Sequence, residues 1–283
     1  MLIKRKSIEA QANHIDGPMA SSQEIKRNSK SKVKTTSPRA IKFAPITLSE
    51  LDGVRYLHFG TEWVQGAMRI RKPDAIELEY AQQMMAWMLF LEQPQKVLQL
   101  GLGTGALTKF CYRQFDDLAI DVAELNPDVI NVCASMFNLP RNDTRLNVME
   151  IDALEWVNQE EQCGQYQVIQ VDLYDATAKG PVLDSADFYQ ACANCLSDDG
   201  ILTVNLFGDH PSFKRNQKNL NYVFDHVIYL PQVHDGNIVA IAFKQAQKLD
   251  YKLLLERAKA IKAAHKLPAK QWVDAIKLSS ASA

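Results

Sequence analysis

The chain has 283 residues, of which 47% are hydrophobic and 23% are charged, and its formal net charge at pH 7 is −1. This length and apolar content are sufficient for one large or two modest domains with buried cores. No window approaches the roughly 18 uninterrupted apolar residues of a membrane helix, and the N-terminal stretch is charged where a signal peptide is apolar, so we expect a cytoplasmic protein that is not associated with a membrane.

The N-terminal 42 residues differ from the rest of the chain in charge. They contain ten Lys and Arg residues against three acidic residues, a net charge of +7 that leaves −8 for the remainder. Their Ser/Asn/Lys-rich composition, without aromatic residues or periodicity, predicts a disordered basic tail. The tail is either a solvated extension, a transit peptide, or an arm that binds RNA or another anion. Nucleic-acid binding is not expected outside residues 1–42.

Residues 43–78 contain short alternating apolar runs that are interrupted by glycine-containing turns. Such alternation is typical of antiparallel hairpins, so this segment is predicted to form a small β-hairpin domain. A strongly apolar helix is predicted to follow over residues 79–91, and Pro94 is expected to end it.

From Lys96 onward, short apolar strands alternate with helices, which is typical of a parallel sheet covered on both faces. We assign residues 79–246 to this domain and residues 247–283 to a C-terminal helical extension. The amphipathic helix predicted at residues 250–266 is interpreted as a surface cover or a dimer contact. The parallel strands are predicted at residues 97–100, 119–122, 146–151, 168–171 and 201–205, and a closing antiparallel pair at residues 227–230 and 238–243.

The cysteines and histidines do not indicate a disulfide framework or a metal site. Five cysteines are an odd set in a chain of this length. Cys192 and Cys195 form a CxxC pair, but they fall inside a predicted helix instead of at its N-terminus, where a redox dithiol would be activated. No second pair and no histidine spacing completes a metal site, so we predict no bound metal.

Glycines follow the first parallel strand, at Gly101, Gly103 and Gly105. They permit a tight turn and let the backbone approach a ligand at the N-terminus of the next helix, although an ordinary strand-to-helix turn uses such glycines too. Their spacing differs from that of the dinucleotide-binding GxGxxG pattern.

Acidic residues follow the next two strands. Glu124 can accept hydrogen bonds from ribose hydroxyls, or it can interact with a helix dipole. Asp152 can accept a hydrogen bond from an adenine amino group while the Ala153 N–H donates to the ring, or Asp152 can cap a helix. Together with the glycines, these positions favour a bound nucleoside.

Two carboxylates, Asp172 and Asp175, follow the fourth strand and precede a loop of small residues that reaches Gly180-Pro181. This pair suits an amine substrate, because one carboxylate can take its proton while the other holds a cationic group. In the alternative interpretation, one of the two caps a helix and the other is exposed. An acidic pocket of this kind predicts cationic acceptors.

These residues belong to a set of short segments at residues 59–65, 80–84, 100–105, 124–127, 152–153, 172–175, 180–181, 188–189 and 199–200. The set resembles the spermidine synthase family of polyamine aminopropyltransferases, in particular its spermidine synthase-like bacterial branch. The resemblance implies an α/β fold, in which a methyltransferase-like Rossmann domain with a mostly parallel doubly wound sheet follows a small N-terminal β-hairpin domain. It also implies a homodimer that transfers an aminopropyl group from decarboxylated S-adenosylmethionine to an amine such as putrescine.

The same resemblance implies roles for individual residues. Asp172 would be the general base that deprotonates the attacking amine, and residues 175–183 would form a gate loop. The donor site implied in this way comprises Gly101, Gly103, Thr104, Gly105, Glu124, Asp152 and Ala153. The acceptor site comprises Gln65, Tyr80, Gln82, Tyr174 and Asp175.

Several substrate contacts depart from the family pattern. Thr104 stands where the synthases have an Asp that binds the aminopropyl ammonium of the donor. Two charges about 4 Å apart at an effective dielectric near 20 interact by roughly 4 kcal/mol before desolvation, so this change could alter donor preference. Gln82 is taken to replace one residue of the family's segment after Tyr80. Tyr174 is new between the two carboxylates, where it could pack over an acceptor.

Three functions are therefore considered. The leading hypothesis is aminopropyl transfer by a spermidine synthase-like enzyme. Thr104 motivates the second, an S-adenosylmethionine-dependent methyltransferase on the same scaffold. The third is a non-catalytic nucleoside-binding protein whose basic tail engages a partner. The glycine spacing and the paired carboxylates argue against a nicotinamide dehydrogenase.

Overall fold

The structure is a computed structural model that describes residues 43–176, 180–233 and 236–281. The predicted basic tail (residues 1–42) and residues 177–179 of the predicted gate loop lie outside the described residues. The strands are β1 (Ile46–Leu51), β2 (Val54–Phe59), β3 (Val64–Arg69), β4 (Lys96–Leu100), β5 (Ala119–Glu124), β6 (Leu146–Glu150), β7 (Tyr166–Val171), β8 (Leu196–Phe207), β9 (His226–Tyr229) and β10 (Asn237–Phe243). The helices are α1 (Glu79–Gln83), α2 (Ala106–Gln114), α3 (Pro127–Met136), α4 (Ala153–Val157), α5 (Ala186–Cys195), α6 (Ser212–Val223), α7 (Tyr251–His265) and α8 (Ala269–Ala281), with short 3-10 helices at Ala86–Leu89 and Glu160–Gln162.

The first three strands form a separate antiparallel sheet in the order β1-β2-β3. Asp52 and Gly53, both with positive φ, make the turn between β1 and β2. A Cβ atom on Gly66 of β3 would lie 2.6 Å from Cγ2 of Thr104, so the absent side chain lets this sheet approach the loop after β4. The predicted β-hairpin unit is confirmed.

Within the described residues, the second sheet has seven strands in the order β6-β5-β4-β7-β8-β10-β9. Its neighbours are parallel except at β10, which is antiparallel to both β8 and β9. This confirms the mostly parallel sheet and its closing antiparallel pair. The order of strands reverses between β4 and β7, and parallel sheets bind ligands beyond the strand ends at such a point.

Helices cover both faces of this sheet, and successive residues of a central strand face opposite ways. In β4, Val97 packs in the core that contains Trp87 and Trp272, whereas Leu98 packs in the core that contains Phe188 and Leu220. Burial on both faces explains why these strands appear in the sequence as nearly continuous apolar runs.

The predicted helix over residues 79–91 is wrong in its extent, because α1 ends at Gln83. The carbonyl of Met84 accepts a hydrogen bond from Gln170 Nε2 on β7 (3.0 Å), and the N–H of Met88 donates to the carbonyl of Met85 (3.1 Å) instead of to that of Met84. A 3-10 helix at Ala86–Leu89 follows, and all four of its residues are buried. A tertiary hydrogen bond here overrides the helical preference of the local sequence.

The C-terminal helix predicted at residues 250–266 is observed as α7. The side chain of Asp250 caps it by accepting from the N–H groups of Lys252 and Leu253 (3.0 and 3.2 Å). α8 follows as a second helix that was not predicted separately. Leu254 of α7 and Trp272 of α8 are buried in the same core, so both helices cover one face of the sheet.

The five cysteines all lie within the described residues and are unpaired. Desolvation raises the pKa of both thiols of the CxxC pair, that of Cys195 to about 11. A thiol with a raised pKa is a poor nucleophile, which agrees with a packing role for this pair. In the described ranges, no helix combines the length and the hydrophobicity needed to cross a bilayer.

The ends of β4 and β7 come into close backbone contact at Gly101. Its φ is +96°, and a Cβ atom at this position would lie 2.3 Å from the backbone oxygen of Asp172. The N–H of Asp172 in turn donates to the carbonyl of Leu100 (2.9 Å). Only glycine permits this approach of the two backbones.

We therefore expect Gly101→Ala to lower the free energy of unfolding by more than about 2 kcal/mol, because backbone strain adds to a steric clash. Gly164→Ala is the matched control, since Gly164 also has a positive φ (+69°) but has nothing within 4 Å of the position a Cβ would take. Urea unfolding of both variants provides the comparison. Equal losses in the two variants would contradict the assigned contact.

Candidate active site

A cavity of about 760 Å³ lies where the strand order reverses. The ends of β4, β5 and β7 and the start of α4 form one side, and the β2–β3 connection forms another. Gly101, Glu124, Asp152 and Asp172, which follow four successive predicted strands, all line it. Its volume is in the range of about 300–1,000 Å³ that small-molecule sites occupy.

Glu124 connects the end of β5 to the glycine loop. Its Oε2 accepts from the N–H of Leu102 (3.0 Å) and its Oε1 from the N–H of Asn126 (2.8 Å). Desolvation raises the pKa of this carboxyl, while the backbone hydrogen bonds lower it. The carboxylate thus orders the loop around Gly103 and lines the cavity, where it could accept hydrogen bonds from a sugar.

Asp152 is the N-cap of α4. Its Oδ1 accepts from the N–H groups of Leu154 (2.8 Å) and Glu155 (3.3 Å), so the capping interpretation applies. Asp152 and Ala153 also line the cavity, which means that the cap does not exclude contact with a ligand. The cap holds this carboxylate in place at the cavity wall.

Asp172 follows β7 directly and is held from two sides. Its Oδ1 accepts from Asn205 Nδ2 (2.9 Å), and its Oδ2 accepts from the Tyr80 hydroxyl (3.4 Å). The side chain is half-buried and lines the cavity. Desolvation accordingly raises the pKa of Asp172, while the bonds from Asn205 and Tyr80 lower it.

Behind Asp172, Tyr174 forms a polar cluster with Asn205 and Asn237, two residues that the sequence analysis missed. Asn205 Oδ1 accepts from Asn237 Nδ2 (2.9 Å), and the Tyr174 hydroxyl donates to the carbonyl of Asn205 (3.1 Å). Desolvation raises the pKa of Tyr174 well above its usual value. A signal was available, since Asn205 ends one apolar strand and Asn237 begins an antiparallel one, so both lie at the same edge of the sheet.

Asp175 and Gln65 tie the loop after β7 to the hairpin sheet. The Gln65 Nε2 donates to the backbone carbonyl of Asp175 (3.0 Å), and the Thr61 hydroxyl donates to that of Ala176 (3.0 Å). Gln65 lines the cavity, whereas Asp175 is buried beside it and does not line it. The predicted contact between Asp175 and an acceptor therefore stays a prediction.

Three other predicted residues lie outside the main cavity. Thr104 is 2% exposed and borders a second cavity of about 20 Å³, which Tyr80 and Asp172 also line. Gly105 has a φ of +64° and is the N-cap of α2. Gln82 donates from Nε2 to the carbonyl of Ile76 (2.9 Å) and lines neither cavity, so this geometry does not support a substrate contact.

Apolar side chains surround the end of the cavity nearest the hairpin sheet. Trp63 and Val64 are 48% and 40% exposed, which is unusual for such residues, and Phe59 and Phe207 join them in the wall. Glu62 provides an acidic group beside them. Apolar walls with a nearby carboxylate suit a chain of methylene groups that carries a positive charge.

Within the part of the chain that the structure describes, no three His, Cys, Asp or Glu side chains come together in an arrangement that could hold a metal ion. The chemical groups that line the cavity include the desolvated carboxylates of Glu124 and Asp172 and hydroxyl and amide side chains. These groups can bind a polar ligand and accept a proton from it.

Comparison with known proteins identifies several that are similar in sequence or in fold. A "Polyamine aminopropyltransferase" of Neisseria meningitidis serogroup A is 30% identical over 73% of this chain and 78% of its own length. The human "eEF1A lysine and N-terminal methyltransferase" is 28% identical over 68% of this chain and 29% of its own length. The crystal structure of a probable spermidine synthase from Corynebacterium glutamicum superposes with a TM-score of 0.65 at 18% identity, covering 77% of this chain and 82% of that one.

A family model described as the spermine/spermidine synthase domain matches residues 77–252. This range includes β4 to β10 and the four strand ends that line the cavity. Since the match spans more than half of the chain, the protein belongs to the spermine/spermidine synthase family.

Proposed function

We propose that this chain is a spermidine synthase-like transferase that moves an aminopropyl group from decarboxylated S-adenosylmethionine to an amine in polyamine biosynthesis. The observation that carries this proposal is the position of Asp172. Its desolvated carboxylate lines the same cavity as the strand ends that would bind the nucleoside and as the apolar side chains of Phe59 and Trp63. Membership of the family and the aminopropyltransferase relatives support the same activity.

The donor would bind with its nucleoside at the ends of β4, β5 and β6. Glu124 would accept hydrogen bonds from the ribose, and Asp152 with Ala153 would bind the adenine. Gly101 and Gly103 would allow close approach of the backbone to the ligand. These roles agree with the residues that line the cavity, and Glu124 and Asp152 are already held by backbone hydrogen bonds.

In the reaction, the amine nitrogen of the acceptor would attack the aminopropyl carbon attached to the sulfonium of the donor. A carbon–nitrogen bond forms as the carbon–sulfur bond breaks, and methylthioadenosine leaves with the electron pair of that bond. The proton lost by the nitrogen passes to the carboxylate of Asp172. The protein thus supplies orientation and a base, while the leaving group is already activated in the donor.

The acceptor would occupy the end of the cavity near Trp63, Phe59 and Glu62. Putrescine fits this chemistry, because its methylene chain can contact apolar walls while its distal ammonium is attracted by an acid. Tyr80 and Tyr174 are further candidates for contact, since both line the cavity. Asp175 would attract the cation from behind the cavity wall. We keep the homodimer as a prediction of the family resemblance.

A second candidate function, S-adenosylmethionine-dependent methyl transfer, is favoured by one observation. Thr104 borders the small cavity beside Asp172 and places no charge there. A donor that carries a carboxylate would therefore not be repelled by a negative charge at position 104. The identity of 28% with a methyltransferase is consistent with this alternative.

We expect Asp172→Asn to lower kcat by about 100- to 10,000-fold, the usual contribution of a general base. Binding of methylthioadenosine, measured by calorimetry, should change little. The free energy of unfolding at pH 7 should not decrease, because the raised pKa means that the ionised group disfavours folding above that pKa. Asp199→Asn, an exposed site on β8, serves as the control. An active Asp172→Asn enzyme would refute the assigned base.

The activity should also depend on pH through Asp172. Because desolvation raises its pKa, kcat/KM should fall as the pH drops through a value above the ordinary range for Asp. Tyr80→Phe removes a hydrogen bond that lowers this pKa, so the acid limb should move to higher pH. The measurement is kcat/KM against pH for both proteins. An acid limb that Tyr80→Phe leaves in place would count against this assignment.

Donor preference should respond to the charge at position 104. We expect Thr104→Asp to favour decarboxylated over carboxylated S-adenosylmethionine by at least about tenfold, well within the roughly 4 kcal/mol of a close charge pair before desolvation. Thr104→Asn controls for size. Calorimetric titration of each protein with both donors gives the ratio. If the wild-type protein already prefers the carboxylated donor, the methyltransferase alternative gains support. If Thr104→Asp leaves the ratio of the two affinities unchanged, position 104 does not contact the donor.

A further inference from the structure

Two glutamines lie side by side in the centre of the apolar sheet. Gln99 on β4 and Gln170 on β7 are register partners, and they are 2% and 0% exposed. Burying an amide is unfavourable unless its polar atoms are hydrogen-bonded. The residues around them on these strands are apolar, so packing alone does not account for two amides at this place.

The two amides form part of a continuous chain of hydrogen bonds. The Thr108 hydroxyl donates to Gln99 Oε1 (2.6 Å), and Gln99 Nε2 donates to Gln170 Oε1 (2.9 Å). Gln170 Nε2 then donates to the backbone carbonyl of Met84 (3.0 Å). Each glutamine therefore both accepts and donates, and the chain has one direction from α2 to the end of α1.

At its far end, this chain reaches the segment that carries Tyr80. The N–H of Met84 donates to the carbonyl of Tyr80 (2.9 Å), and the Tyr80 hydroxyl donates to Asp172 Oδ2 (3.4 Å). Asp172 is two residues after Gln170 and directly follows β7, so a short stretch of backbone connects the two side chains. The contacts thus close a ring that runs from Gln170 through Met84 and Tyr80 to Asp172.

At its near end, the chain holds the start of α2. Thr108 lies in the first turn of this helix, which directly follows the glycine loop of residues 101–105. The same row of side chains therefore contacts the element after the glycine loop and the element that presents Tyr80. Residues of both elements, Tyr80 and Thr108, line the small cavity beside Asp172.

We propose that Gln170, supported by Gln99, is a positioning residue that holds the Tyr80 hydroxyl on Asp172 by fixing where α1 ends. The inference rests on the proposed function only for the expected change in kcat. Gln170 does not line either cavity, so it acts through Tyr80 and not by contact with substrate. α1 ends at Gln83, and the carbonyl of the next residue, Met84, accepts the hydrogen bond from Gln170 through which this positioning would act.

The test compares Gln170→Met, Tyr80→Phe and the variant with both changes. We expect Gln170→Met to lower kcat about tenfold with little change in the KM of the donor, since a small displacement of a catalytic group has an effect of this order. Because Gln170 acts through Tyr80, the doubly changed enzyme should be no slower than Tyr80→Phe alone. Additive losses, or a Tyr80→Phe enzyme with unchanged kcat, would overturn the proposal.

A matched control exists in the same row of the sheet. Thr203 on β8 is the register partner of Gln170 on the other side and is 0% exposed, and its hydroxyl has no hydrogen-bond partner among the described residues. Thr203→Val preserves the shape and should leave kcat unchanged. A loss of kcat in Thr203→Val equal to that in Gln170→Met would show a general effect of core substitution and would overturn the proposal.

Stability is separated from positioning by a further variant. Gln170→Met alone leaves Gln99 Nε2 with only the weak acceptor Cys111 Sγ (3.8 Å), so the melting temperature of this variant should fall. Gln99→Met combined with Gln170→Met removes both amides, so it should recover much of the melting temperature without recovering kcat. Recovery of both quantities together would mean that the glutamines serve stability only, and would refute the proposal.

Crystal structures of wild type and Gln170→Met provide a readout that needs no activity. We expect the Tyr80 hydroxyl to move out of hydrogen-bond distance of Asp172 in the variant and not in Thr203→Val. If Tyr80 stays in place, the proposal fails whatever the kinetics show. If wild type transfers no aminopropyl group but Tyr80 moves as expected, the proposed function fails and the positioning role stands.

Discussion

The contact between the backbones of Gly101 and Asp172 is the constraint on which the rest of the site depends. Strands β4 and β7 are parallel neighbours, so their carboxyl ends emerge side by side. The absent side chain of Gly101 lets the loop after β4 lie against the carbonyl of Asp172. Any larger residue would separate the glycine loop from Asp172, and therefore the proposed nucleoside site from the proposed base.

The carboxylate of Asp172 is held in a desolvated position that other parts of the fold support. Asn205 from β8 and Tyr80 from α1 donate to its two oxygens, and Asn237 from β10 holds Asn205 in turn. These bonds offset part of the unfavourable free energy of desolvation. The part that is not offset raises the pKa, and a carboxylate with a raised pKa is a better proton acceptor near neutral pH. The desolvation of Asp172 therefore lowers the stability of the folded protein and also raises the pKa of the carboxylate that would accept the proton.

Much of the fold and half of the site could be predicted because their signals are local. Alternation and apolar runs indicate strands, and a residue that follows a parallel strand lies at the edge where ligands bind. This rule located Gly101, Glu124, Asp152 and Asp172 before any contact was known, and all four line one cavity. The hairpin sheet and the antiparallel closing pair followed from turn residues and alternation in the same way.

The sequence by itself thus determined which strands form and which strand ends line the cavity, since both depend on residues that are close in the chain. Only the tertiary structure decided the end of α1, because the hydrogen bond from Gln170 to Met84 joins residues 86 positions apart. It also decided that Gln82 contacts a backbone carbonyl away from the cavity and that Asn205 donates a hydrogen bond to Asp172. Spacing cannot specify such contacts, because each depends on how separate elements pack against one another.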